Sequence, residues 1–209
     1  MIPPLSTNTS ALLARLPPMK RILAMATTTP SRVLGFAVSD PYLAYATPLP
    51  SMHLDSHIFQ KEMPVGKKGV PHKHTAKRGA TANLPEEEIL PTNPLQLLER
   101  WECTDVGAML IVKTTPGREE QHDAPDKVDW QHIALQNFVH QRYSPILDIA
   151  ILEYTHTDWK DQVEESAKAN PEMWEDIDND AVDDPSTQAA IALNLFLWKE
   201  TSGWANNFG

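Results

Sequence analysis

The stretch that decides the fold runs over residues 127–171 and reads KVDWQHIALQNFVHQRYSPILDIAILEYTHTDWKDQVEESAKANP. Its first third places apolar residues near helical spacing, and its last third repeats that spacing with acidic residues on the opposite face. These patterns predict one helix that begins near Asp126 and another over residues 158–170. The Asn170-Pro171 pair ends the second helix, because a residue that precedes proline disfavours the α region.

The short apolar run between these helices, residues 145–155, fits either a strand or the start of a helix. Ser144-Pro145 is typical of a helix start, whereas the isoleucines and Tyr154 are residue types that strands favour. Residues 106–115 are apolar on both alternating faces, as in a central strand that helices cover on both sides. Such a strand needs a neighbour, so we favour a strand, helix, strand unit.

Two further helices are indicated outside this unit. Asn93-Pro94 combines a capping residue with a proline at the first helical position, and it predicts a helix over residues 94–103. Residues 187–200 predict a helix that is apolar nearly all round. A helix of that kind is either central to its own domain or buried between two proteins.

The first 90 residues differ from the rest in composition. Thirteen of the eighteen prolines precede Leu95, and each removes a backbone donor, so this part is predicted to be mostly extended. We therefore predict an α+β fold with a small two- to three-stranded sheet packed by about four helices. A long extended, Pro-rich and basic N-terminal arm, residues 1–90, precedes the acidic globular body of residues 91–209.

Charge is divided just as unevenly along the chain. Residues 1–84 carry a net charge of +7 and residues 85–209 carry −17, so the front part attracts an anionic partner. The basic residues concentrate in residues 61–78, a Gly- and Pro-containing segment that can follow a phosphate backbone or remain a solvated linker. No aromatic residue is interleaved there to stack on bases, and an acidic protein surface attracts the same segment. The candidate contacts to an anionic partner are Lys61, Lys67, Lys68, Lys73, Lys77 and Arg78.

The N-terminal residues 1–39 contain no Asp or Glu and intersperse Arg and Lys among Ser, Thr and Ala. That composition is typical of an organelle transit peptide, and a disordered tail is the alternative. No apolar run approaches the roughly 18 residues that a bilayer-spanning helix requires. We expect a mitochondrial protein, or otherwise a soluble intracellular one.

No motif in the chain identifies a reaction. The pair His53 and His57 lacks a third metal ligand at a diagnostic spacing, and the acidic residues 176–187 lack the glycine and the glutamate of a calcium loop. The single cysteine, Cys103, excludes a cysteine-based zinc site and is predicted to be a core residue. No catalytic, cofactor or metal site is therefore predicted.

These observations favour a non-catalytic accessory or structural subunit of a large multiprotein assembly, of the respiratory-chain or ATP-synthase type, whose arm wraps neighbouring subunits. The apolar residues expected to be buried by a partner are Phe196, Trp198, Trp204 and Phe208. The alternative is a peripheral organellar ribosomal protein that contacts RNA, or else an anionic lipid, through residues 61–78. A third hypothesis is a small acid-base enzyme that uses some of His132, His140, Asp148 and His156.

Overall fold

A five-stranded sheet is the centre of the molecule in this computed structural model, which describes residues 9–27, 33–53, 89–91, 93–115, 130–175, 177 and 184–205. The strands are β1 (Arg21–Thr27), β2 (Val33–Ser39), β3 (Ala46–His53), β4 (Val106–Thr115) and β5 (Asp148–Thr155). Their order across the sheet is β3-β2-β1-β4-β5. Strand β2 runs antiparallel to both of its neighbours, whereas β1, β4 and β5 run parallel to one another.

Helices cover both faces of this sheet. They are α1 (Ser10–Arg15), α2 (Pro94–Arg100), α3 (Trp130–Tyr143), α4 (His156–Ala169) and α5 (Pro185–Ala205), with a 3-10 helix, η1 (Pro171–Trp174), after α4. On one face α5, α1 and η1 pack over strand residues such as Ala24 and Leu110. On the other face α2 and α3 pack over residues such as Met25 and Ile111. The chain therefore forms three layers, with the sheet in the middle.

The predicted fold is wrong in the number of strands in its sheet and in the extended structure assigned to residues 21–53. The described part of the chain has a mixed sheet of five strands rather than two or three, packed by five α-helices rather than about four. Strands β1 to β3 come from residues 21–53, which were expected to belong to the extended arm. They pair directly with the strands of the second half, because β1 lies between β2 and β4.

The prolines of this region fall where a sheet tolerates them. Pro41 lies in the turn between β2 and β3, and Pro48 and Pro50 lie in β3, which is an edge strand. Because these two prolines are two residues apart, their nitrogens face the same side of the strand. On an edge strand, the side that carries the proline nitrogens can face away from the neighbouring strand, where no N–H is needed for a hydrogen bond. Proline thus restricts β3 to the edge without preventing it from pairing.

The helices and strands predicted for the second half of the chain are found in the described residues, and the predicted helix start near Asp126 lies outside them. Strand β4 occupies the predicted residues, and β5 pairs parallel to it after α3, as a strand, helix, strand unit requires. Helix α2 begins at Pro94, and the Asn93 side chain accepts a hydrogen bond from the Leu95 N–H at 3.1 Å. Residues 145–155 contain a strand, and the apolar helix α5 is central to its own domain.

The acid-free N-terminus also belongs to the fold. Helix α1 buries Leu12 completely, and residues 21–27 and 33–39 form β1 and β2. A targeting peptide removed from the mature chain could not include these residues, because its removal would take away the strand between β2 and β4. Neither the cleaved peptide nor the disordered tail describes residues 10–27 and 33–39.

Helix α5 lies so close to β2 that only glycine fits at position 35. A Cβ atom on Gly35 would stand 1.8 Å from the carbonyl carbon of Pro185 and 2.1 Å from the nitrogen of Ser186. The Ser186 hydroxyl accepts a hydrogen bond from the Phe36 N–H at 3.2 Å. It satisfies this backbone donor at the point where the register between β2 and β3 shifts. The start of α5 is therefore fixed on β2 by close packing and by a hydrogen bond.

We predict that Gly35→Ala lowers the free energy of unfolding by about 1–3 kcal/mol, because the added methyl group meets backbone that cannot move without shifting α5. Gly107→Ala is the milder comparison, since its Cβ would meet side-chain atoms of Leu16 and Lys20 at 3.0 Å rather than backbone atoms at 1.8 Å. Urea unfolding of both variants measures the difference. An equal loss in the two variants would contradict the close approach of α5 to β2.

An ion pair joins the starts of β1 and β4. The Arg21 guanidinium donates through Nε to both carboxylate oxygens of Asp105 at 2.8 Å and through Nη2 to the Glu102 carbonyl at 3.1 Å. The Arg21 N–H also donates to the Asp105 carbonyl at 3.2 Å. The hydrogen bond from Arg21 lowers the pKa of the Asp105 carboxyl, and partial burial opposes this only in part.

This lowered pKa predicts a pH-dependent contribution to stability. Because the pKa of Asp105 is lower in the folded chain than its unfolded value of about 3.9, the contribution is present above that pH and is lost as the pH falls through the folded pKa. Asp105→Asn should cost about 1 kcal/mol or less at pH 7, because the Asp105 side chain is 39% exposed and solvent screens the pair. Unfolding measured from pH 7 to pH 2 should show the variant and the unchanged chain converging. A difference that persists at pH 2 would attribute the loss to packing.

Candidate functional site

The carboxyl ends of the parallel strands are the first place to look for a site. The connection from β1 leads to β2 on one side and that from β4 leads to β5 on the other, and open α/β sheets bind ligands at such a switch point. The last pair that β1 and β4 share before this edge is Ala26 and Val112, and both residues are buried and apolar. Residues 28–32 and 116–129, which follow the two strands, lie outside the described residues. In the part of the chain that the structure describes, no cluster of three or more His, Cys, Asp or Glu could hold a metal. This edge therefore supplies no acid-base or metal-binding set from the described residues.

The structure does not bring together the residues of the acid-base hypothesis. Asp148 begins β5, where its carboxylate lies 3.7 Å from the Arg15 Nε, and His156 follows the far end of the same strand. The eight steps of extended chain between these two residues separate their backbones by about 26 Å. His140 lies on α3, and its buried Nδ1 has no hydrogen-bond partner among the described residues. The side chains of His132 and His156 lie outside the described residues.

The predicted contacts to an anionic partner also lie outside the described residues. They are Lys61, Lys67, Lys68, Lys73, Lys77 and Arg78. The described residues on either side of this segment meet, because His53 and Ile89 form a parallel bridge and the Leu90 N–H donates to the His53 carbonyl at 2.9 Å. The described residues that flank positions 54–88 therefore lie together at the carboxyl end of β3.

The apolar residues near the C-terminus are partly accounted for within the chain. Phe196 is 2% exposed and belongs to the core on the α5 face, and Trp198 packs against the same core. Trp204 lies in α5 with its side chain outside the described residues, and Phe208 lies beyond them. Phe196 thus already has its contacts inside the chain, and a partner contact by this set stays a prediction.

Cys103, by contrast, is placed as predicted. It is buried, and its thiol donates a hydrogen bond to the Trp101 carbonyl at 3.1 Å. Burial raises the pKa of the Cys103 thiol, with the Arg21 cation opposing the shift. A protonated, enclosed thiol is a poor nucleophile, so this cysteine is a core residue.

The described surface has an open cleft of about 530 Å³ at the opposite end of β3 from His53. We call it the tyrosine cleft. One wall is the turn between β2 and β3, and the other is the junction between α4 and η1. The lining residues are Tyr42, Leu43, Ala44, Tyr45, Ala169, Asn170, Pro171, Glu172 and Met173.

The first wall is a turn that Asp40 holds in one shape. Its carboxylate accepts hydrogen bonds from the backbone N–H groups of Tyr42, Ala44 and Tyr45 at 2.5–3.1 Å, and its own N–H donates to the Tyr45 carbonyl. Leu43 adopts a left-handed backbone with φ 58°, and its side chain packs against the core. An aspartate that accepts hydrogen bonds from three backbone amides gives a rigid turn, so the backbone of the two tyrosines is held in place.

The second wall is anchored by the end of α4. The Asn170 N–H donates to the Ser166 carbonyl at 2.8 Å, and the Met173 N–H donates to the Asn170 carbonyl at 3.2 Å. Pro171 begins η1, because its fixed φ suits the first helical position. Met173 is buried beneath the cleft, and Glu172 is exposed beside it.

One buried side chain, Asn194 of α5, holds both walls. Its Oδ1 accepts a hydrogen bond from the Ala46 N–H at 2.7 Å, one residue after the turn that carries Tyr45. Its Nδ2 donates to the Met173 carbonyl at 2.8 Å. Asn194 is fully buried in an otherwise apolar helix face, so these bonds replace the water that its amide loses. It therefore sets the position of one wall relative to the other.

The tyrosine cleft was not predicted from the sequence. The sequence alone indicates a possible strand over residues 35–45 that Asp40-Pro41 ends, and it shows Asn194 as a polar residue inside the apolar run of residues 189–198. The local signals were an Asp-Pro turn followed by two aromatics and a lone amide in an apolar helix. Nothing in the sequence shows that these features, more than 150 residues apart, meet at one surface.

No family model and no curated protein matches the chain, so its own residues and geometry carry the proposals below. Within the described ranges, none of the helices combines the length and hydropathy needed to cross a bilayer.

We predict that Asn194→Ala lowers the free energy of unfolding by at least about 2 kcal/mol, because it leaves the Ala46 N–H and the Met173 carbonyl buried without partners. Hydrogen exchange at the Ala46 amide should accelerate more than at the centre of β2. Gln188→Ala, at a partly exposed position on the same helix, is the control and should change neither quantity appreciably. Unchanged Ala46 exchange in Asn194→Ala would contradict the role of Asn194 in holding the wall.

Proposed function

We propose that this protein is a non-catalytic accessory subunit of a multiprotein assembly and that it holds a neighbouring subunit in the tyrosine cleft. The observation that carries the proposal is the pair of aromatic rings presented on a rigid turn. Tyr42 is 79% exposed and Tyr45 is 42% exposed, although both are large and partly apolar. Tyrosine is enriched in protein interfaces, where its ring is buried and its hydroxyl finds a partner.

The rigidity of the cleft supports a binding role. Binding costs free energy when loops and side chains must be ordered, and a surface already fixed avoids part of that cost. Asp40 fixes the turn and Asn194 fixes it against η1. The backbone of the cleft would therefore need little rearrangement when a neighbouring subunit binds.

The non-catalytic part of the proposal rests on the sequence, in which no motif identifies a reaction.

We place the assembly in the mitochondrion, in a complex of the respiratory-chain or ATP-synthase type. The acid-free composition of residues 1–39 is the sequence feature behind this location. Because α1, β1 and β2 lie within this segment, the signal would have to be retained in the mature chain. The basic residues 61–78 remain a predicted second contact, to an acidic neighbour. The alternative of a peripheral ribosomal protein depends on that same segment, and no described residue adds to it.

Native electrophoresis of mitochondria that contain a tagged chain tests this function. We expect the chain to migrate well above its own 23.4 kDa, with partners identified by mass spectrometry. Replacing both Tyr42 and Tyr45 by alanine should release a large share of it, because aromatic anchors dominate interface energies. Leu95→Ala, at a 50% exposed position on α2 away from the cleft, is the control and should leave the complex intact.

Two results would overturn the proposal. Migration as a free chain in the native gel would remove the assembly role. Recovery of the chain in other compartments, with none in mitochondria, would remove the location.

A further inference from the structure

We propose that the tyrosine cleft receives an extended, proline-containing, cationic segment of a partner protein. This rests on the proposed function, since it names the class of neighbour that the same cleft would hold. Three properties of the cleft lead to it: its open shape, its aromatic and proline lining, and its charge.

The shape suits a peptide. Small-molecule sites enclose most of their ligand within a concave pocket. Here Tyr42 and Tyr45 are largely exposed at the cleft, and Ala169 to Glu172 on the facing wall are exposed as well. An extended chain can lie along such an open cleft between two walls, whereas a small ligand would remain mostly in water.

The lining suits proline. Tyr42 and Tyr45 belong to one wall of the cleft, Pro171 belongs to the other, and Leu43 and Met173 add apolar surface. Grooves lined by aromatic side chains recognise polyproline II segments, whose rings fit between aromatic rings and whose extended shape is already formed in the free peptide. The rigid turn held by Asp40 adds no ordering cost on the protein's side.

The charge suits a cation. Glu172 is the one charged residue among the nine that line the cleft, and its carboxylate lies on the wall opposite the tyrosines. A Lys or Arg of the bound segment can pair with Glu172 and lie over a tyrosine ring, where the ring quadrupole attracts it. The chain as a whole carries −10, which favours approach of a basic segment.

The test measures fluorescence anisotropy of a labelled synthetic peptide made of repeated Pro-Pro-Lys units, titrated with the full chain. We expect saturable binding that weakens as salt is added. Tyr42→Ala should weaken it by about tenfold or more, as expected for an aromatic anchor, and Leu95→Ala should leave it unchanged. Glu172→Gln should weaken binding and flatten its salt dependence, because one charge pair is lost.

Matched peptides separate the two chemical requirements. A peptide with alanine in place of proline should bind more weakly, and one with glutamate in place of lysine should not bind. Equal binding to unchanged chain and Tyr42→Ala would show general attraction of a polycation and would overturn the proposal. Preferential binding of a peptide with the sequence of residues 61–78 would assign the cleft to this chain's own basic segment, which also overturns it.

The peptide experiment and the native gel test different claims, so a negative result in one does not imply a negative result in the other. If the chain co-migrates with partners through Tyr42 and Tyr45 but does not bind the peptide, the accessory role stands and the ligand class is wrong. If the chain binds the peptide with the expected variant effects yet migrates alone, the cleft chemistry stands and the assembly role is wrong.

Discussion

The backbone contact between α5 and β2 is the constraint on which the rest of the structure depends. Gly35 lets the start of the helix come within a distance that no other residue allows. At that separation the neighbouring strands β1 and β2 need small side chains on the helix-covered face, and they have them: Ala24, Ala26 and Ala37 on the sheet, with Ala189, Ala190 and Ala192 on the helix. Close packing of this kind contributes through dispersion as well as through burial.

The short distance between α5 and the sheet also allows the helix to form hydrogen bonds with backbone outside it. Polar side chains on α5 can reach strand and loop backbone, as Ser186 does at Phe36 and Asn194 does at Ala46 and Met173. A buried amide in an apolar core is costly unless it is hydrogen-bonded. Asn194 bonds through both its oxygen and its nitrogen, and these two bonds join the walls of the cleft. Core packing and the geometry of the candidate binding surface are therefore coupled through one helix.

Sequence patterns recovered the parts of the fold in which periodicity is strong. Strand β4 is apolar on both faces, and α2 carries its cap and proline, so both could be located from local residues. In residues 21–53 the sequence indicates only a possible strand over residues 35–45, which overlaps β2. Strands β1 and β3 were missed because proline frequency was weighed above position: Pro48 and Pro50 exclude a central strand but not an edge strand. The tyrosine cleft could not be predicted, since Asp40 and Asn194 become neighbours of one surface only through the packing of α5 across the sheet.

The bridge between His53 and Ile89 brings two residues that are distant in the sequence to one point of the fold. The entropic cost of closing a flexible chain between two such points grows only with the logarithm of its length, by roughly 0.6 kcal/mol for each doubling. A change in the number of residues between positions 53 and 89 therefore alters the closure entropy of this bridge little. Variation in chain length at this point of the fold is thus compatible with the same five-stranded sheet.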